Sequence, residues 1–337
     1  MSNLYKYFNI EILNGFIDYP TLKLTKPNEL NDPFESKISE EIINIHNDIT
    51  RKRCAPDLTI ADLQWIARNM GIISLTKSQD NKLMWAHYAN SHSGFVVGFD
   101  TKMLSKYISS IKSTAPAVYP SPKKLHKVKY RTRRFNCNSL TKLNIDNLDE
   151  FKFAKHLITE ISTIKSTDWK YENEYRYILS PDFCDSIRIT VKTNSIYFNK
   201  ALKIITENFK VKRNHFYDSI KNVYLDIDGP FCFKDEITST QRVSVLNELD
   251  VCKPTRLMAI PKECITSIQF GVEVAESTIT NLIYKLNEYP EYHNVEIIKY
   301  HPCNKTFGLN PEIKDKIRPL PSSEEINDLF IKVEQSL

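Results

Sequence analysis

One stretch in the middle of the chain decides the fold prediction, Trp169-Lys170-Tyr171-Glu172-Asn173-Glu174-Tyr175-Arg176-Tyr177. Aromatic residues alternate with polar residues in this stretch, a period that is typical of a β-strand. On such a strand the aromatic side chains would lie on one face. Two carboxylates and a guanidinium, those of Glu172, Glu174 and Arg176, would share the other face.

The charged face of this strand permits two interpretations. Same-face neighbours on a strand lie about 6.6 Å apart, so Glu174 would have a like charge on one side and an opposite charge on the other. Such an arrangement can separate the pKa values of two carboxylates, as acid and base catalysis requires. Alternatively, Glu174 and Arg176 form a structural ion-pair ladder on a solvated sheet face. The sequence leaves both interpretations open.

The composition describes a soluble globular protein. The chain has 337 residues, 41% of them hydrophobic and 26% charged, with 17 Phe and 17 Tyr, and this content excludes a disordered protein. No apolar run approaches the roughly 18 residues that a transmembrane helix needs, and the first residues do not resemble a signal peptide. We therefore expect a cytoplasmic protein that does not bind membranes.

Several common site types are absent from the sequence. The seven cysteines include no Cys-x-x-Cys pair, and the eight histidines lack metal-site spacing, so no metal is expected. The seven glycines cannot form a Gly-x-Gly-x-x-Gly turn or a Walker phosphate loop, which excludes ordinary Rossmann and P-loop chemistry.

The periodicity of apolar residues predicts an α+β fold with a mixed, largely antiparallel central sheet and flanking helices. Thr59 and Asp62 form a predicted capping box for a helix that ends near Gly71. A longer helix is predicted from Asp149 to Lys165. Two strands, at 257–260 and 265–271, a helix and a last strand predict a β-β-α-β end of the sheet, and 322–333 predicts an amphipathic tail helix.

The same reading divides the chain into four segments. Residues 1–185 are predicted to form the first part of a core domain, and residues 253–310 its second part. Residues 186–252 mix short strands with a helix and are predicted to be an inserted α/β segment. Residues 311–337 form the tail.

A basic run covers residues 123–134, which contain seven Lys and Arg residues and no acid. Such a run can bind the phosphates of nucleic acid or the pyrophosphate of a nucleotide. The alternative is a solvated basic strand and loop, which the modest net charge of +5 favours. The candidate phosphate-binding residues are Lys127, Lys129, Arg131, Arg133 and Arg134.

A helical pattern from about residue 80 to residue 91 contains a further candidate group. His87 is a candidate acid or base, and Trp85 and Tyr88 could stack on a ligand ring. The alternative is that His87 is a satisfied core histidine and that Trp85 packs in the core.

Six words of the sequence together resemble the bacterial family catalogued as domain of unknown function 2971. The resemblance covers residues 4–310 apart from the insertion. Its words are Leu4 to Tyr7, Leu30 to Glu35, Leu83 to Ala89, His92 to Phe99, Trp169 to Arg176 and Ile265 to Gly271.

The layout of these words is also similar, by distant analogy, to ADP-ribosyltransferases, which implies NAD as cofactor. Glu174 would match the late catalytic glutamate and Glu172 the residue two before it. Lys6 is the nearest match to the first-strand Arg or His, a departure from the pattern of those enzymes. The residues that the resemblance implies for NAD binding are Tyr5, Lys6, Tyr7, Asn31, Asp32, Ser74, Thr76, Trp85, Tyr88 and Arg176.

The leading hypothesis is therefore an ADP-ribosyltransferase-like enzyme that cleaves the nicotinamide-ribose bond and modifies a protein or nucleic acid, as a toxin or phage-defence effector. Glu174 would stabilise the oxocarbenium-like centre. The first alternative is a non-catalytic module that binds nucleic acid or protein through the basic run. The second is a nuclease with a magnesium site of Asp32, Glu35, Glu172 and Glu174.

Overall fold

The computed structural model describes residues 3–40, 42–44, 47, 59–111, 124–133, 150–221 and 223–318. Lys123, Arg134, Cys137 and the predicted tail helix at 322–333 lie outside the described residues. In the part of the chain that is described, no helix combines the length and the apolar character that a membrane crossing requires.

The strands alternate with helices along most of the chain. The strands are β1 Leu4–Phe8, β2 Thr21–Lys23, β3 Gly71–Thr76, β4 Phe95–Phe99, β5 His126–Lys127, β6 Lys129–Arg131, β7 Ile164–Ser166, β8 Glu174–Leu179, β9 Ser186–Val191, β10 Tyr217–Asp218, β11 Val223–Tyr224, β12 Ile227–Cys232, β13 Thr255–Ala259, β14 Ile265–Phe270, β15 Glu296–Pro302 and β16 Leu309–Lys316.

The helices are mostly two to three turns long. They are α1 Leu13–Asp18, α2 Ile60–Asn69, α3 Lys82–Tyr88, α4 Thr101–Ser110, α5 Glu150–Ile161, α6 Phe198–Asn208, α7 Ser239–Leu249 and α8 Glu276–Asn287. The predicted capping box of α2 is confirmed, because the Thr59 side chain accepts a hydrogen bond from the Asp62 backbone N–H and the Asp62 carboxylate accepts one from Thr59.

The described residues form two compact units. The first unit comprises those within 1–18, 78–104 and 261–337. Its strands follow the order β16-β15-β14-β4-β1. The β14–β15 pair is parallel, while β15–β16, β14–β4 and β1–β4 are antiparallel. A mixed, largely antiparallel sheet with helices confirms the predicted α+β class.

The core of the first unit contains an uncharged polar network around Gln269. The Gln269 side-chain amide donates hydrogen bonds to the Gln79 side chain, at 3.1 Å, and to the Ser267 hydroxyl, at 2.9 Å. The Tyr300 hydroxyl donates to Gln269 Oε1 at 3.2 Å. Trp85 packs edge-on against Tyr300, with ring centroids 5.4 Å apart. We call these residues the Gln269 network.

The second unit comprises the described residues within 19–77 and 105–260. It contains β3, β8 and β5 in antiparallel order and a separate four-stranded antiparallel sheet in the order β12-β9-β13-β2. The predicted insertion at 186–252 supplies β9 and β12. The prediction that residues 257–260 join the β-β-α-β end of the same sheet is wrong, because β13 pairs with β2 and β9.

An apolar cluster holds α2 and α5 together in the second unit. Leu63 and Ile66 of α2 pack with Leu157 and Ile158 of α5 and with Ile178 of β8. The predicted helix from Asp149 to Lys165 ends earlier, at Ile161, and β7 follows it at once. This packing fixes the position of the segment that follows α5.

Candidate functional site

The stretch that was predicted to be one strand changes conformation at Asn173. Residues Thr167–Glu172 form a 3-10 helix, and β8 begins only at Glu174. The strand prediction is therefore wrong for residues 169–173. Asn173 adopts the left-handed conformation, with φ 44° and ψ 52°, which Asn tolerates better than most residues.

Five charged side chains meet beside this turn, and we call them the ionic cluster. They belong to Glu35, Lys165, Glu172, Glu174 and Arg176, and each residue is 5% exposed or less. The interpretation as an ion-pair ladder on a solvated sheet face is therefore wrong, since the face is buried. Three carboxylates and two cations give the ionic cluster a formal charge of −1.

Arg176 binds two of the carboxylates. Its Nε donates to Glu174 Oε1 at 2.7 Å and its Nη2 to Glu174 Oε2 at 2.8 Å, a bidentate pair. Its Nη2 also lies 2.5 Å from Glu35 Oε2. The remaining guanidinium nitrogen, Nη1, donates to the Ser162 carbonyl at 2.8 Å. Arg176 therefore has charged or polar partners on all its nitrogens.

Lys165 lies among all three carboxylates. Its Nζ is 2.6 Å from Glu172 Oε2, 3.2 Å from Glu35 Oε1 and 3.5 Å from Glu174 Oε2. Its ammonium also lies over the Trp169 ring, 4.8 Å from the centroid. Burial opposes the charged form of Lys165, but the three glutamates outweigh burial and raise its pKa.

Neighbouring segments fix the backbone of the two glutamates on either side of Asn173. The Thr76 hydroxyl donates a hydrogen bond to the Glu172 carbonyl. The Glu174 N–H donates to the Tyr130 hydroxyl at 2.8 Å. Ser74 faces Arg176 in the β3–β8 register and hydrogen-bonds the Glu174 carboxylate. Ser74 and Thr76, which the sequence assigned to ligand binding, therefore contact the ionic cluster.

The same burial shifts the pKa values of two carboxylates in opposite directions. Burial raises the pKa of Glu174, but the charges of Arg176 and Lys165 and hydrogen bonds outweigh it and lower this pKa to about 2. Burial also raises the pKa of Glu35, and the charges of Arg176 and Lys165 oppose this rise without cancelling it. Glu174 is thus held ionised, while Glu35 takes up a proton more readily than an ordinary glutamate.

Glu35 reaches the ionic cluster from a tight turn. The Asp32 carboxylate accepts a hydrogen bond from the Phe34 N–H at 2.9 Å, and the Asp32 carbonyl accepts one from the Glu35 N–H at 3.1 Å. Asp32 is itself buried, whereas Asn31 is exposed. The predicted ligand-binding residue Asp32 therefore shapes the turn that directs Glu35 inward.

A cavity of about 390 Å³ opens beside the ionic cluster. Glu35 and Lys165 line it from the ionic cluster, and Arg131 and Arg133 line it from the basic run. This volume lies within the range of small-molecule sites. The remaining lining residues are Asp32, Phe34, Ser36, Lys37, Ile38, Ser39, Thr132, Ile161, Ile164 and Ser166.

The basic run contributes to this cavity through two of its five candidate residues. Lys127 and Lys129 are exposed on β5 and β6, and Lys129 forms an ion pair with Glu160. Arg131 and Arg133 line the cavity, and Arg134 lies outside the described residues. The structure thus divides the basic run into an exposed part and a part that borders the cavity.

The predicted magnesium site is replaced by an ion-paired arrangement. Glu35, Glu172 and Glu174 do converge, but the Lys165 ammonium lies between them. Among the residues that the structure describes, no group of three His, Cys, Asp or Glu residues has the arrangement of a metal site. The second alternative from the sequence therefore has no geometric support here.

The remaining predicted site residues belong to the first unit. Tyr5, Lys6 and Tyr7 lie on β1, and the Tyr7 hydroxyl donates to the Ser78 carbonyl at 2.9 Å. Trp85 is fully buried, and its Nε1 donates to the Gln79 carbonyl at 3.0 Å.

His87 and Tyr88 lie on α3 with their rings 6.2 Å apart. His87 is exposed and therefore is not the satisfied core histidine of the alternative interpretation, whereas Trp85 packs in the core as that interpretation expects. Contacts of these residues with a ligand stay predictions.

Sequence reasoning missed Lys165 and Tyr130 and placed Glu35 only in a metal site. Lys165 follows a long apolar helix and is flanked by Ile164, so a cation enclosed by apolar residues was a usable signal for burial. Glu35 ends the Leu30-Asn31-Asp32-Pro33-Phe34-Glu35 word, but no local pattern connects it to a segment some 130 residues later.

Comparisons with known proteins give one match. Neither the curated proteins nor the solved structures include a match to this chain. The similarity to ADP-ribosyltransferases stays a prediction. Residues 84–177, which include α3, the basic run and the whole Glu172 to Arg176 segment, match the model of the family described as protein of unknown function DUF2971, as the resemblance in the sequence predicted.

Proposed function

We propose that this chain binds NAD in the cavity beside the ionic cluster and cleaves the bond between nicotinamide and ribose, in the manner of an ADP-ribosyltransferase. One observation supports this proposal above the others. Carboxylates in a buried ionic cluster lie next to a cavity that Arg131 and Arg133 border. The cavity therefore combines groups for ribose hydroxyls with groups for a pyrophosphate.

The proposed reaction needs no metal. The C–N bond between nicotinamide and ribose C1′ breaks, and its electron pair leaves with nicotinamide. The positive charge that develops at C1′ is stabilised by nearby carboxylates, which the low effective dielectric of a buried site makes more effective. Water or a nucleophile of a protein or nucleic acid then forms the new bond to C1′ and releases its proton.

The carboxylates of the ionic cluster suit this role because they are ionised without a bound metal. Arg176 and Lys165 keep Glu174 charged, and the formal charge of −1 on the ionic cluster favours a positive centre nearby. Action on a macromolecular acceptor, as a toxin or defence effector, belongs to the same proposal.

Incubation of the purified protein with NAD, with chromatography of released nicotinamide, tests the proposal. We expect turnover by the wild type, at least a hundredfold less turnover by Glu174→Gln, and weaker NAD binding by Arg133→Gln. Arg68→Gln is the matched control, because Arg68 is an exposed arginine on α2. Absence of NAD binding and of nicotinamide release in the wild type would contradict the proposal.

The exposed part of the basic run supports a second candidate function, binding of nucleic acid. Lys127 and Lys129 point away from the core on consecutive short strands. The double variant Lys127→Glu/Lys129→Glu would then weaken a salt-dependent complex with nucleic acid, and Glu174→Gln would leave it unchanged. Electrophoretic mobility shifts at two salt concentrations separate this function from NAD turnover.

A further inference from the structure

Glu35 differs from the other carboxylates of the ionic cluster in its hydrogen bonds. Its side chain is 1% exposed. Lys165 Nζ and Arg176 Nη2 lie within ion-pair distance, at 3.2 and 2.5 Å, but at angles outside those of a hydrogen bond. Within the described residues, neither Glu35 oxygen accepts a hydrogen bond. Buried carboxylate oxygens normally do, so this carboxylate keeps acceptor capacity for another molecule.

The position of Glu35 shows where that molecule would lie. Glu35 lines the cavity, and Glu174 does not. Both Glu174 oxygens are already bonded to Arg176, and its pKa is lowered accordingly. Glu174 therefore supports the site from behind, while Glu35 faces the space that a ligand would fill.

The opposite part of the cavity lining selects for an anion. Arg131 and Arg133 are exposed to different extents, and both border the cavity together with Lys37. Guanidinium groups bind phosphate through paired hydrogen bonds. A ligand that satisfies both parts of the lining carries a phosphate and, separately, hydroxyl groups that donate to a carboxylate.

We infer that Glu35 is the residue that binds the ligand of this cavity, through the vicinal diol of a ribose phosphate whose phosphate group lies near Arg131 and Arg133. This inference rests on the proposed NAD site and deepens it. It assigns to Glu35 the ribose contact that the sequence assigned to Glu174. Two adjacent hydroxyls can donate in parallel to the two oxygens of one carboxylate, which matches the two open acceptors.

Calorimetric titration of the full chain with AMP, 2′-deoxy-AMP and pyrophosphate tests the inference. We expect the wild type to bind AMP about tenfold more tightly than 2′-deoxy-AMP, because one hydrogen bond to a charged carboxylate is lost with the 2′-hydroxyl. Pyrophosphate, which has no diol, reports the arginine part of the site alone.

Two variants assign the preference to its residues. Glu35→Gln should abolish the tenfold preference for AMP without weakening pyrophosphate binding, and Arg133→Gln should weaken all three probes by similar factors. The matched control for the first variant is Glu29→Gln, which changes an exposed glutamate of the same unit. Circular dichroism melting identifies a Glu35 variant that fails to fold.

The outcomes separate the inference from the proposed function. Equal wild-type affinity for AMP and 2′-deoxy-AMP, or no binding of either nucleotide, overturns the inference without any variant. A preference that survives Glu35→Gln in a folded protein also overturns it. NAD turnover without the preference leaves the proposed function standing alone. A Glu35-dependent preference without NAD turnover supports the inference and contradicts the proposed reaction.

Discussion

The ionic cluster of the second unit and the Gln269 network of the first unit are two different solutions to the burial of polar side chains. The ionic cluster compensates three carboxylates with two cations at distances of 2.5 to 3.5 Å. The Gln269 network uses neutral donors and acceptors, in which the Gln269 amide binds three partners. Charges bind more strongly but also cost more to bury and to leave unpaired.

This difference teaches where function is to be sought. A neutral network can be satisfied within itself, and Gln269 uses its acceptor and its donors in that way. The ionic cluster retains a net charge of −1 and the open acceptors of Glu35. A buried group with an excess of one charge is an expensive way to stabilise a fold, so its retention beside a cavity favours a role in binding.

The largest effect that sharpens this comparison is expected from Arg176→Met. The variant leaves Glu35 and Glu174 buried beside a single cation, which should lower the free energy of unfolding by about 3–5 kcal/mol. Urea denaturation followed by circular dichroism measures this change. Arg188→Met, at an exposed position of β9, is the control and should change it by less than about 0.5 kcal/mol. A similar small change for Arg176→Met would contradict the proposed energetic role.

The second effect is the pH dependence of Glu174. Its pKa falls from 4.5 to about 2 in the folded chain, so its contribution is fully present above about pH 4.5 and is lost as the pH falls towards 2. A shift of this size corresponds to about 3 kcal/mol. We therefore expect the difference in unfolding free energy between wild type and Glu174→Gln to shrink steadily between pH 5 and pH 2.5. A difference that stays constant over this range would show that the charge of Glu174 is not what stabilises the fold.

The smallest effect is expected in the Gln269 network. Tyr300→Phe removes one neutral hydrogen bond and should cost about 1 kcal/mol. Burial raises the pKa of the Tyr300 hydroxyl well above its ordinary value, so it stays neutral and this cost should not change between pH 3 and pH 8. Tyr284→Phe is the control, because Tyr284 is 72% exposed. A pH-dependent cost for Tyr300→Phe would erase the distinction between the two regions.

The sequence predicted the two regions unequally. Alternation correctly brought Glu174 and Arg176 to one face of a strand, because i and i+2 positions of β8 share a face regardless of what pairs with it. It did not anticipate the 3-10 helix before Asn173, since a left-handed residue breaks the period that the prediction relied on. Nor could it place Glu35, because its approach depends on how the Asp32 turn packs and not on any periodic pattern.

The left-handed conformation of Asn173 sets the spacing of the two glutamates beside it. In a regular strand, same-face carboxylates such as those of Glu172 and Glu174 would lie about 6.6 Å apart, whereas here both approach one ammonium, at 2.6 and 3.5 Å from Lys165 Nζ. The residue between them must therefore accept a positive φ, which favours Asn, Asp or Gly. The three-residue pattern Glu-Asn-Glu is thus a usable signature for recognising the same cluster in other chains, where a β-branched central residue would argue against it.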